Sequence, residues 1–300
     1  MIFRSDERAK WRIIVSVLLI IIAVIISVFF LAEENGYSAN IPKTGDRIIV
    51  LDVGQGDSIL IASNGEYMLV DTGEEWESRS LCSKLRSYGV ETLNVAFLTH
   101  FHTDHAGSIE EVTEEFAVEN LVYPDMSIAD NIPQSVIKAK ENVLKNDGTV
   151  AFARKDMTVK IGNFNIKVIG YYPDFADEND CSVVLMAENN GNKFLLTSDI
   201  SSTTERALIE DGVKLECDIL KVAHHGGSNS TSAEFLKMAD PEFAIISCGL
   251  DNPYAHPNTQ TLNRLRKEQI EIYRTDLNGD VCVEFSGKTF KIHCESAKKR

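Results

Sequence analysis

The sequence predicts a layered α/β domain preceded by one transmembrane helix. Two observations lead to this fold class. Residues 13–32 form an uncharged, almost wholly aliphatic run, and about 20 such residues are the length that a helix needs to cross the hydrocarbon core of a membrane. From residue 47 onward, short β-branched runs alternate with segments of helical periodicity, a pattern typical of sheets covered by helices.

Charges on either side of the aliphatic run predict its orientation. Basic residues precede the run and acidic residues follow it: Arg4, Arg8, Lys10 and Arg12, then Glu33 and Glu34. The positive-inside rule then predicts a cytoplasmic N-terminus at residues 1–12, a single-pass cell-membrane anchor at residues 13–32, a tether at residues 33–46 and an extracytoplasmic domain at residues 47–295. A cleaved signal peptide is the alternative, although signal-peptide cores are typically about 7–15 residues long.

Composition limits the class of the domain. The chain is 44% hydrophobic and 25% charged, which is ordinary for a soluble globular domain. No Gly/Pro/Ser-rich linker divides it, so we predict one domain. The net charge of -15 argues against a broadly basic nucleic-acid binder, although a local basic strip stays compatible with it. The six cysteines lack zinc-finger spacing, so we expect buried apolar side chains or, in an exported domain, disulfides.

Secondary structure follows from periodicity and from turn residues. A β-meander is predicted at residues 48–53, 58–62 and 67–70, followed by a helix at 78–88 that Gly89 ends, and a buried strand at 94–98. Further helices are predicted at residues 109–116, 134–146, 203–212, 232–239 and 258–269. Further strands are predicted at residues 158–161, 164–171, 182–188, 193–197, 219–222, 243–247, 271–274, 281–285 and 289–293.

The segment from His100 to His105 carries four potential metal ligands in six residues. In an extended loop His100 and His102 point to the same side, while Asp104 and His105 open the next helix. Imidazole and carboxylate suit zinc, manganese or iron, and two sub-clusters this close suit a pair of ions. An isolated histidine is usually structural or solvated, but this density after an apolar strand favours a metal site.

Other candidates are selected by position, because each comes after an apolar strand, where open α/β folds place their sites. Asp199 follows the strand at residues 193–197, His224 and His225 follow the one at 219–222, and His256 comes soon after the one at 243–247. Taken alone, Asp199 is equally compatible with a helix cap, His225 with a hydrogen-bond donor behind the ligands, and His256 with a loop histidine. Their shared edge favours Asp199 and His224 as ligands.

These motifs together resemble a known family. His100-x-His102-x-Asp104-His105, with Asp71-Thr72-Gly73 upstream, resembles the signature of the metallo-β-lactamase superfamily. Later motifs narrow the match: Leu51 to Ser58 (LDVGQGDS), Asn179 to Ser182 (NDCS), Leu195 to Asp199 (LLTSD), Lys221 to Gly226 (KVAHHG) and Tyr254-x-His256-Pro257. Residues 47–285 look like the C-terminal hydrolase domain of ComEC-type DNA-uptake (competence) proteins, and are also similar to phosphorylcholine esterase domains that act on teichoic acids.

The resemblance implies an αββα sandwich that holds two divalent ions, zinc or manganese. His100 and His102 would bind the first ion, Asp104 and His105 the second, and Asp199 would bridge both. His224 would complete one shell, with His225 or His256 as alternatives. The superfamily's usual third-motif histidine is missing ahead of Asp199, and Asn179-Asp180 occupies that region. This leaves the first ion one ligand short of the family pattern, and makes Asp180, like His225, an additional candidate ligand.

The expected activity is phosphodiester hydrolysis of nuclease type by a metal-activated hydroxide. Asp104 and His256 would be the catalytic residues, with His256 assisting the departing oxygen. The substrate is expected to be a phosphodiester such as single-stranded DNA, contacted by basic residues of the late helix and the tail: Arg264, Arg266, Lys267 and residues 298–300. A solvated helix face is the alternative reading of these residues, and a role in uptake would need a separate channel protein. Other functions considered are a phosphorylcholine esterase acting on teichoic acid, a lactamase or thioesterase, and a non-catalytic binding module.

Overall fold

The computed structural model describes residues 41–125 and 132–295. The predicted cytoplasmic segment, the anchor at residues 13–32 and the basic tail at residues 298–300 lie outside the described residues, as does most of the tether. Those four predictions therefore stay predictions. In the two described ranges, every helix is too short or too polar to span a bilayer.

The elements follow one another in chain order along the described residues. The strands are β1 (Asp46–Val50), β2 (Ile59–Ser63), β3 (Glu66–Val70), β4 (Thr92–Leu93), β5 (Val95–Phe97), β6 (Ala117–Val118), β7 (Asn120–Pro124), β8 (Thr149–Ala153), β9 (Thr158–Ile161), β10 (Phe164–Gly170), β11 (Val184–Asn189), β12 (Asn192–Leu196), β13 (Ile219–Lys221), β14 (Phe243–Ile246), β15 (Glu271–Arg274), β16 (Val281–Ser286) and β17 (Thr289–Cys294). The helices are α1 (Ser78–Ser87), α2 (Thr103–Ala106), α3 (Ile109–Glu115), α4 (Gln134–Lys145), α5 (Ser202–Glu210), α6 (Ala233–Ala239), α7 (Thr259–Lys267) and α8 (Thr275–Asn278).

Two mixed sheets organise these strands. Within the described residues, the first sheet has eight strands in the order β17-β16-β1-β2-β3-β5-β7-β8, and the second has seven in the order β15-β14-β13-β12-β11-β10-β9. Strands β3, β5, β7 and β8 are parallel neighbours, and so are β12, β13, β14 and β15. Because the carboxyl ends of parallel strands lie at one edge of a sheet, the loops that follow them can meet.

Because side chains alternate along each strand, the core consists of three layers: one between the two sheets, and one between each sheet and the helices that cover it. In β1, Ile48 and Val50 pack between the two sheets, whereas Ile49 packs under the helices on the first sheet. Helices α1, α3 and α4 cover the outer face of the first sheet, and α5, α6 and α7 cover that of the second. The layered α/β fold predicted from the sequence is thus confirmed, with helices outside two packed sheets.

Several elements differ from the prediction. β7 was not predicted because its apolar stretch, Leu121 to Tyr123, is too short to show a period, and β8 was not predicted because it is an exposed edge strand. The short pair β4 and β6 and the one-turn helix α8 were not predicted either, because they are too short to show a period. The first strand ends at Val50 rather than at Val53. The six cysteines are free, and five of them are buried.

Candidate metal centre

The segment from His100 to His105 leaves the end of β5 and enters α2. His100 is fully buried, and its Nδ1 lies 3.2 Å from Thr99 Oγ1 and 3.4 Å from Ser198 Oγ. Its ring centroid lies 4.1 Å from that of His105 and 4.9 Å from that of His102. The His102 side chain is 42% exposed, and its Nε2 lies 3.6 Å from Glu178 Oε2. The two histidines of the HxH pattern therefore adjoin the same space, one from inside the protein and one from its surface.

His105 is oriented by a buried carboxylate. Asp71 Oδ2 lies 2.7 Å from His105 Nδ1, and the Asp71 carboxylate also accepts hydrogen bonds from the amide of Thr99 at 2.8 Å and from its hydroxyl at 2.7 Å. This leaves His105 Nε2 facing Asp199, with 3.3 Å to Oδ1. A carboxylate that fixes one imidazole nitrogen while the other faces outward is the arrangement found behind metal-binding histidines.

Asp71 belongs to the Asp71-Thr72-Gly73 motif, but the sequence predicted no separate role for its side chain. Asp71 directly follows β3. The same positional signal that selected Asp199, an acidic residue at the carboxyl end of an apolar strand, would have found it.

The second sheet contributes Asp199 after β12 and His225 after β13. His225 Nε2 lies 3.1 Å from Asp104 Oδ2 and 3.4 Å from Asp199 Oδ2. Its Nδ1 lies 3.2 Å from the carbonyl oxygen of Ser247. One ligand atom from each of four residues lies within 4.8 Å of the others: Asp104, His105, Asp199 and His225. We call these four residues the carboxylate–histidine group.

His224 lies beside this group rather than inside it. Its Nε2 is 3.9 Å from Asp199 Oδ2 and 3.5 Å from Asn179 Nδ2. The sequence favoured His224 over His225, whereas the structure brings His225 nearer to the carboxylates of Asp104 and Asp199. Both histidines have left-handed backbone, with φ of 52° and 53°. Their rings are 6.2 Å apart and inclined by 66°, so two adjacent residues point into different parts of the site.

Asp180 is not brought to the group. Its Oδ1 accepts hydrogen bonds from the amide of Ser201 at 3.0 Å and from the Thr204 hydroxyl at 2.9 Å. Asp180 therefore satisfies the start of α5, where unpaired amides need an acceptor, and this use does not support its choice as a candidate ligand. Asn179 occupies the region of the missing third-motif histidine and, as described above, approaches His224.

Arg264 does not point to a substrate either. Its guanidinium donates to the backbone carbonyls of Thr231 at 2.9 Å, Ser230 at 2.7 Å and Ser228 at 3.3 Å. On the other side of the same loop, Glu205 accepts hydrogen bonds from the amides of Thr231 and Ser232. Arg264 of α7 and Glu205 of α5 thus hold the loop that follows His224 and His225. Nε and Nη2 of Arg264 are therefore engaged within the protein and not directed at a substrate, which does not support the predicted phosphate contact.

A buried ion pair joins the two sheets behind the site. Lys221 Nζ lies 2.8 Å from Asp57 Oδ2, and both side chains are almost fully buried. Asp57 Oδ1 lies 3.6 Å from His225 Nδ1.

The neighbouring Gly56 has φ of 141°, and a Cβ there would lie 2.4 Å from the carbonyl oxygen of Asp104. A glycine is therefore required where the loop after β1 passes against α2.

Burial and charge shift the titration of the group in opposite directions. Burial opposes protonation of His105, but Asp199 and Asp71 outweigh it and raise the pKa of His105 well above its usual value. Burial likewise opposes protonation of His225, yet Asp199 and Asp104 raise its pKa to about 10. Burial would raise the pKa of Asp199, but His225 and His105 hold it well below the usual range. These shifts favour the ionised carboxylate of Asp199 and positive charge on the imidazoles that face it.

These side chains fit a divalent ion. Among the described residues, His100 Nε2 is buried without a hydrogen-bond partner, and an unpaired buried polar atom is costly unless something else satisfies it. Carboxylates and imidazoles converge from two sheets, and their pKa shifts indicate a site that attracts positive charge. Nitrogen and oxygen donors of this kind suit zinc and manganese.

A cavity of about 410 Å³ opens directly over the group. Its lining includes residues from loops of both sheets and from the loop that carries His256: Gln55, Glu74, Phe101, His102, Thr103, Asp104, Asn179, Asp199, His224, His225, Tyr254 and His256. The His256 ring centroid lies 5.5 Å from that of His224. Burial, together with the charge of His225, lowers the pKa of His256 to about 4. The sequence-predicted catalytic candidates Asp104 and His256 therefore share one solvent-accessible cavity.

Comparison with protein families gives a match in the region of the HxHxDH motif. The family model described as "Metallo-beta-lactamase superfamily" matches residues 51–129. The chain contains a metallo-beta-lactamase domain. The resemblance inferred from the sequence motifs is thereby confirmed, and the fold implies binding of divalent metal. Among solved structures, the metallo-beta-lactamase fold protein YhfI from Bacillus subtilis is similar, with 16% identity and a TM-score of 0.50 over 76% of this chain and 96% of that one.

Two curated relatives match most of this chain. It is 29% identical over 269 residues to ComE operon protein 3 of Bacillus subtilis (strain 168), covering 82% of this chain and 34% of the relative. It is 30% identical over 244 residues to Recombination protein 2 of Haemophilus influenzae, covering 80% of this chain and 29% of the relative. The chain thus spans about a third of the length of these relatives.

Proposed function

We propose that this domain is a metal-dependent phosphodiesterase of nuclease type that uses two divalent ions, zinc or manganese. One observation carries the proposal: Asp104, Asp199 and His225 of the carboxylate–histidine group line an open cavity together with His102, and the buried rings of His105 and His100 lie beside them. Bound ions supply a nucleophile from water near neutral pH and neutralise charge on the phosphorus centre. Asp104, His105, Asp199 and His225 would hold one ion, and His100 and His102, with Asp199, would hold the other.

The protein's own residues orient this chemistry. Asp71 and the Ser247 carbonyl each occupy one nitrogen of an imidazole, so that the other nitrogen of His105 and of His225 faces the carboxylate of Asp199. His256 also lines the cavity, and with a pKa of about 4 it is neutral near pH 7. A neutral imidazole has one N–H donor and one acceptor nitrogen. We infer that His256 assists the departing oxygen by donating a hydrogen bond.

Similarity to relatives supports a nucleic-acid substrate. The name of the Haemophilus influenzae relative refers to recombination, a process that acts on DNA, and the sequence motifs resemble those of DNA-uptake proteins. DNA is a phosphodiester, the bond class that a pair of metal ions is suited to cleave by in-line displacement. We therefore propose DNA as the substrate class, with phosphocholine esters as the competing class. The separate channel protein stays a prediction.

We further propose that the domain works outside the cytoplasm, attached to the cell membrane by residues 13–32. The support is the length and the flanking charges of this run. Addition of protease to intact spheroplasts is expected to digest the domain while residues 1–12, carrying an epitope tag, stay protected. Protection of the domain until the membrane is lysed would contradict the proposed orientation.

The activity is tested with the full chain, purified in a mild non-ionic detergent and loaded with manganese or with zinc. Turnover of bis-p-nitrophenyl phosphate and of single-stranded DNA is compared with turnover of p-nitrophenyl phosphorylcholine and of nitrocefin. We expect hydrolysis of the first two substrates that requires metal and is lost in Asp199→Asn. Absence of hydrolysis of both bis-p-nitrophenyl phosphate and single-stranded DNA with either metal, or faster turnover of p-nitrophenyl phosphorylcholine or of nitrocefin, would reject the proposal.

A further inference from the structure

The loop that carries His256 also presents an aromatic ring at the mouth of the cavity. One side chain holds this loop in shape: Asn252 Oδ1 accepts hydrogen bonds from the amides of His256 at 3.0 Å and Tyr254 at 3.2 Å, and Asn252 Nδ2 donates to the carbonyl of Gly249 at 2.9 Å. The backbone of Tyr254 is thus held by the same side chain that holds the backbone of His256.

Tyr254 lines the cavity, yet its side chain is largely open to solvent. It is 62% exposed, and its ring centroid lies 5.9 Å from that of His256 with an interplanar angle of 28°. Contact of one ring face with His256 leaves the exposed part of the ring available to a ligand in the cavity. A tyrosine has few rotatable bonds, so it offers contact area at a small cost in conformational entropy.

The shape of this surface favours a planar ligand. Quaternary ammonium groups such as choline are recognised by several aromatic rings that surround the cation. Among the described residues that line the cavity, the phenyl or phenol side chains are Phe101 and Tyr254, and Phe101 is only 5% exposed. A single accessible ring is instead suited to stack on one base, as in proteins that bind single-stranded nucleic acid.

We propose that Tyr254 stacks on an unpaired base next to the scissile phosphate and thereby selects single-stranded over base-paired nucleic acid. This proposal rests on the proposed function, because it assigns a substrate contact to the same cavity. In a duplex the faces of the bases are covered by their neighbours, so a base must leave the stack before an aromatic side chain can contact its face. Tyr254 is thus a specificity-determining residue, separate from the residues that face the reacting phosphate.

The test separates binding from hydrolysis. Full-chain protein is titrated, in calcium, into three fluorescent oligonucleotides of equal length: a mixed-sequence single strand, a strand in which every base is replaced by an abasic analogue, and a duplex. Binding is measured by fluorescence anisotropy, and KM and kcat are measured in manganese. The variants are Tyr254→Leu, which removes the ring, Tyr254→Phe, which keeps it, and Phe152→Leu, which removes an exposed ring outside the cavity.

We expect Tyr254→Leu to raise Kd and KM for the normal strand by about 5- to 100-fold and to leave abasic binding and kcat within about twofold. Tyr254→Phe and Phe152→Leu should behave like the unaltered chain. Equal weakening of normal and abasic strands, tighter binding to duplex, or inhibition by choline that Tyr254→Leu abolishes would overturn the proposal. Base-dependent binding without hydrolysis in any metal would instead reject the proposed activity and retain the stacking role.

Discussion

The segment from His100 to His105 and the pair His224–His225 supply imidazoles to the same site, but different contacts fix them. In the first segment, the contacts come from neighbours in the first sheet: Thr99 lies beside His100, and Asp71 holds His105. In the pair, the Ser247 carbonyl contacts the His225 ring directly, whereas the backbone of the pair is supported indirectly. Arg264 and Glu205, from two helices on the second sheet, bind the backbone that follows the histidines and do not contact their imidazole rings.

This difference has an energetic consequence. His224 and His225 both have left-handed φ values, a conformation that costs on the order of 1–3 kcal/mol for each such residue and persists only where the surroundings hold it. The hydrogen bonds of Arg264 and Glu205 to residues 228–232 offset part of that cost. The first segment should therefore keep its shape after distant changes, whereas the second should depend on side chains remote from the metal.

The largest effect is expected where the two regions meet, at Asp199. Its two carboxylate oxygens face His105 at 3.3 Å and His225 at 3.4 Å. In Asp199→Asn we expect the bound metal per chain to fall below one ion and phosphodiester hydrolysis to drop at least about 10²–10³-fold. Metal is measured by plasma mass spectrometry after dialysis.

Asp180→Asn is the matched control, because an asparagine oxygen can still accept the hydrogen bonds of Asp180. Loss of metal in this control would return Asp180 to the set of ligands.

The next effect distinguishes the two adjacent histidines. His225→Ala should lower the affinity for zinc by about 100-fold or more, and His224→Ala by about 10-fold, on the scale set by the 10- to 100-fold effect of residues that merely orient a ligand. The reason is that His225, unlike His224, lies within the carboxylate–histidine group. Affinity is measured by competition with a chromogenic chelator. A larger loss of zinc affinity in His224→Ala than in His225→Ala would mean that His224, and not His225, faces the carboxylates in the metal-loaded protein.

The smallest effect tests the indirect support. Arg264→Met should lower the free energy of unfolding by about 1.5–3 kcal/mol, the range for hydrogen bonds to charged groups, and weaken metal binding by about 10-fold. Arg266→Met, on the exposed face of the same helix, should change neither. Arg264→Lys should recover little, because an ammonium lacks the planar fork of donors.

Cobalt absorption spectra separate a positioning role from general destabilisation. We expect a changed d–d band in Arg264→Met at a temperature where the variant is fully folded. An unchanged band and affinity would show that Arg264 stabilises the domain without positioning the histidines.

The comparison also explains which parts were predictable from sequence. Contiguous patterns carried most of the information: the strands of the second sheet, and the density of ligands between His100 and His105, depend on residues adjacent in the chain. Short elements such as β7 were missed because three apolar residues define no period. The sequence could not show which of His224 and His225 faces the carboxylates, because this depends on backbone torsions that tertiary contacts impose.

The remaining differences have a similar origin. Arg264 is a basic residue of the kind that contacts phosphate at a protein surface, but its hydrogen-bond partners in the structure are backbone carbonyls 33 to 36 residues away in the chain. Asp180 adjoins the expected third-motif position, but a hydrogen bond to the amide of Ser201 assigns it to the start of α5. Long-range contacts of this kind leave no local pattern in the sequence.

An anomalous difference map from crystals of the full chain soaked in zinc or manganese tests the central assignment most directly. The carboxylate–histidine group predicts a peak about 2.0–2.2 Å from a carboxylate oxygen of Asp104, a carboxylate oxygen of Asp199, Nε2 of His105 and Nε2 of His225. A peak bound by His224 while His225 lies beyond ligand distance, or no peak at the floor of the cavity, would contradict it.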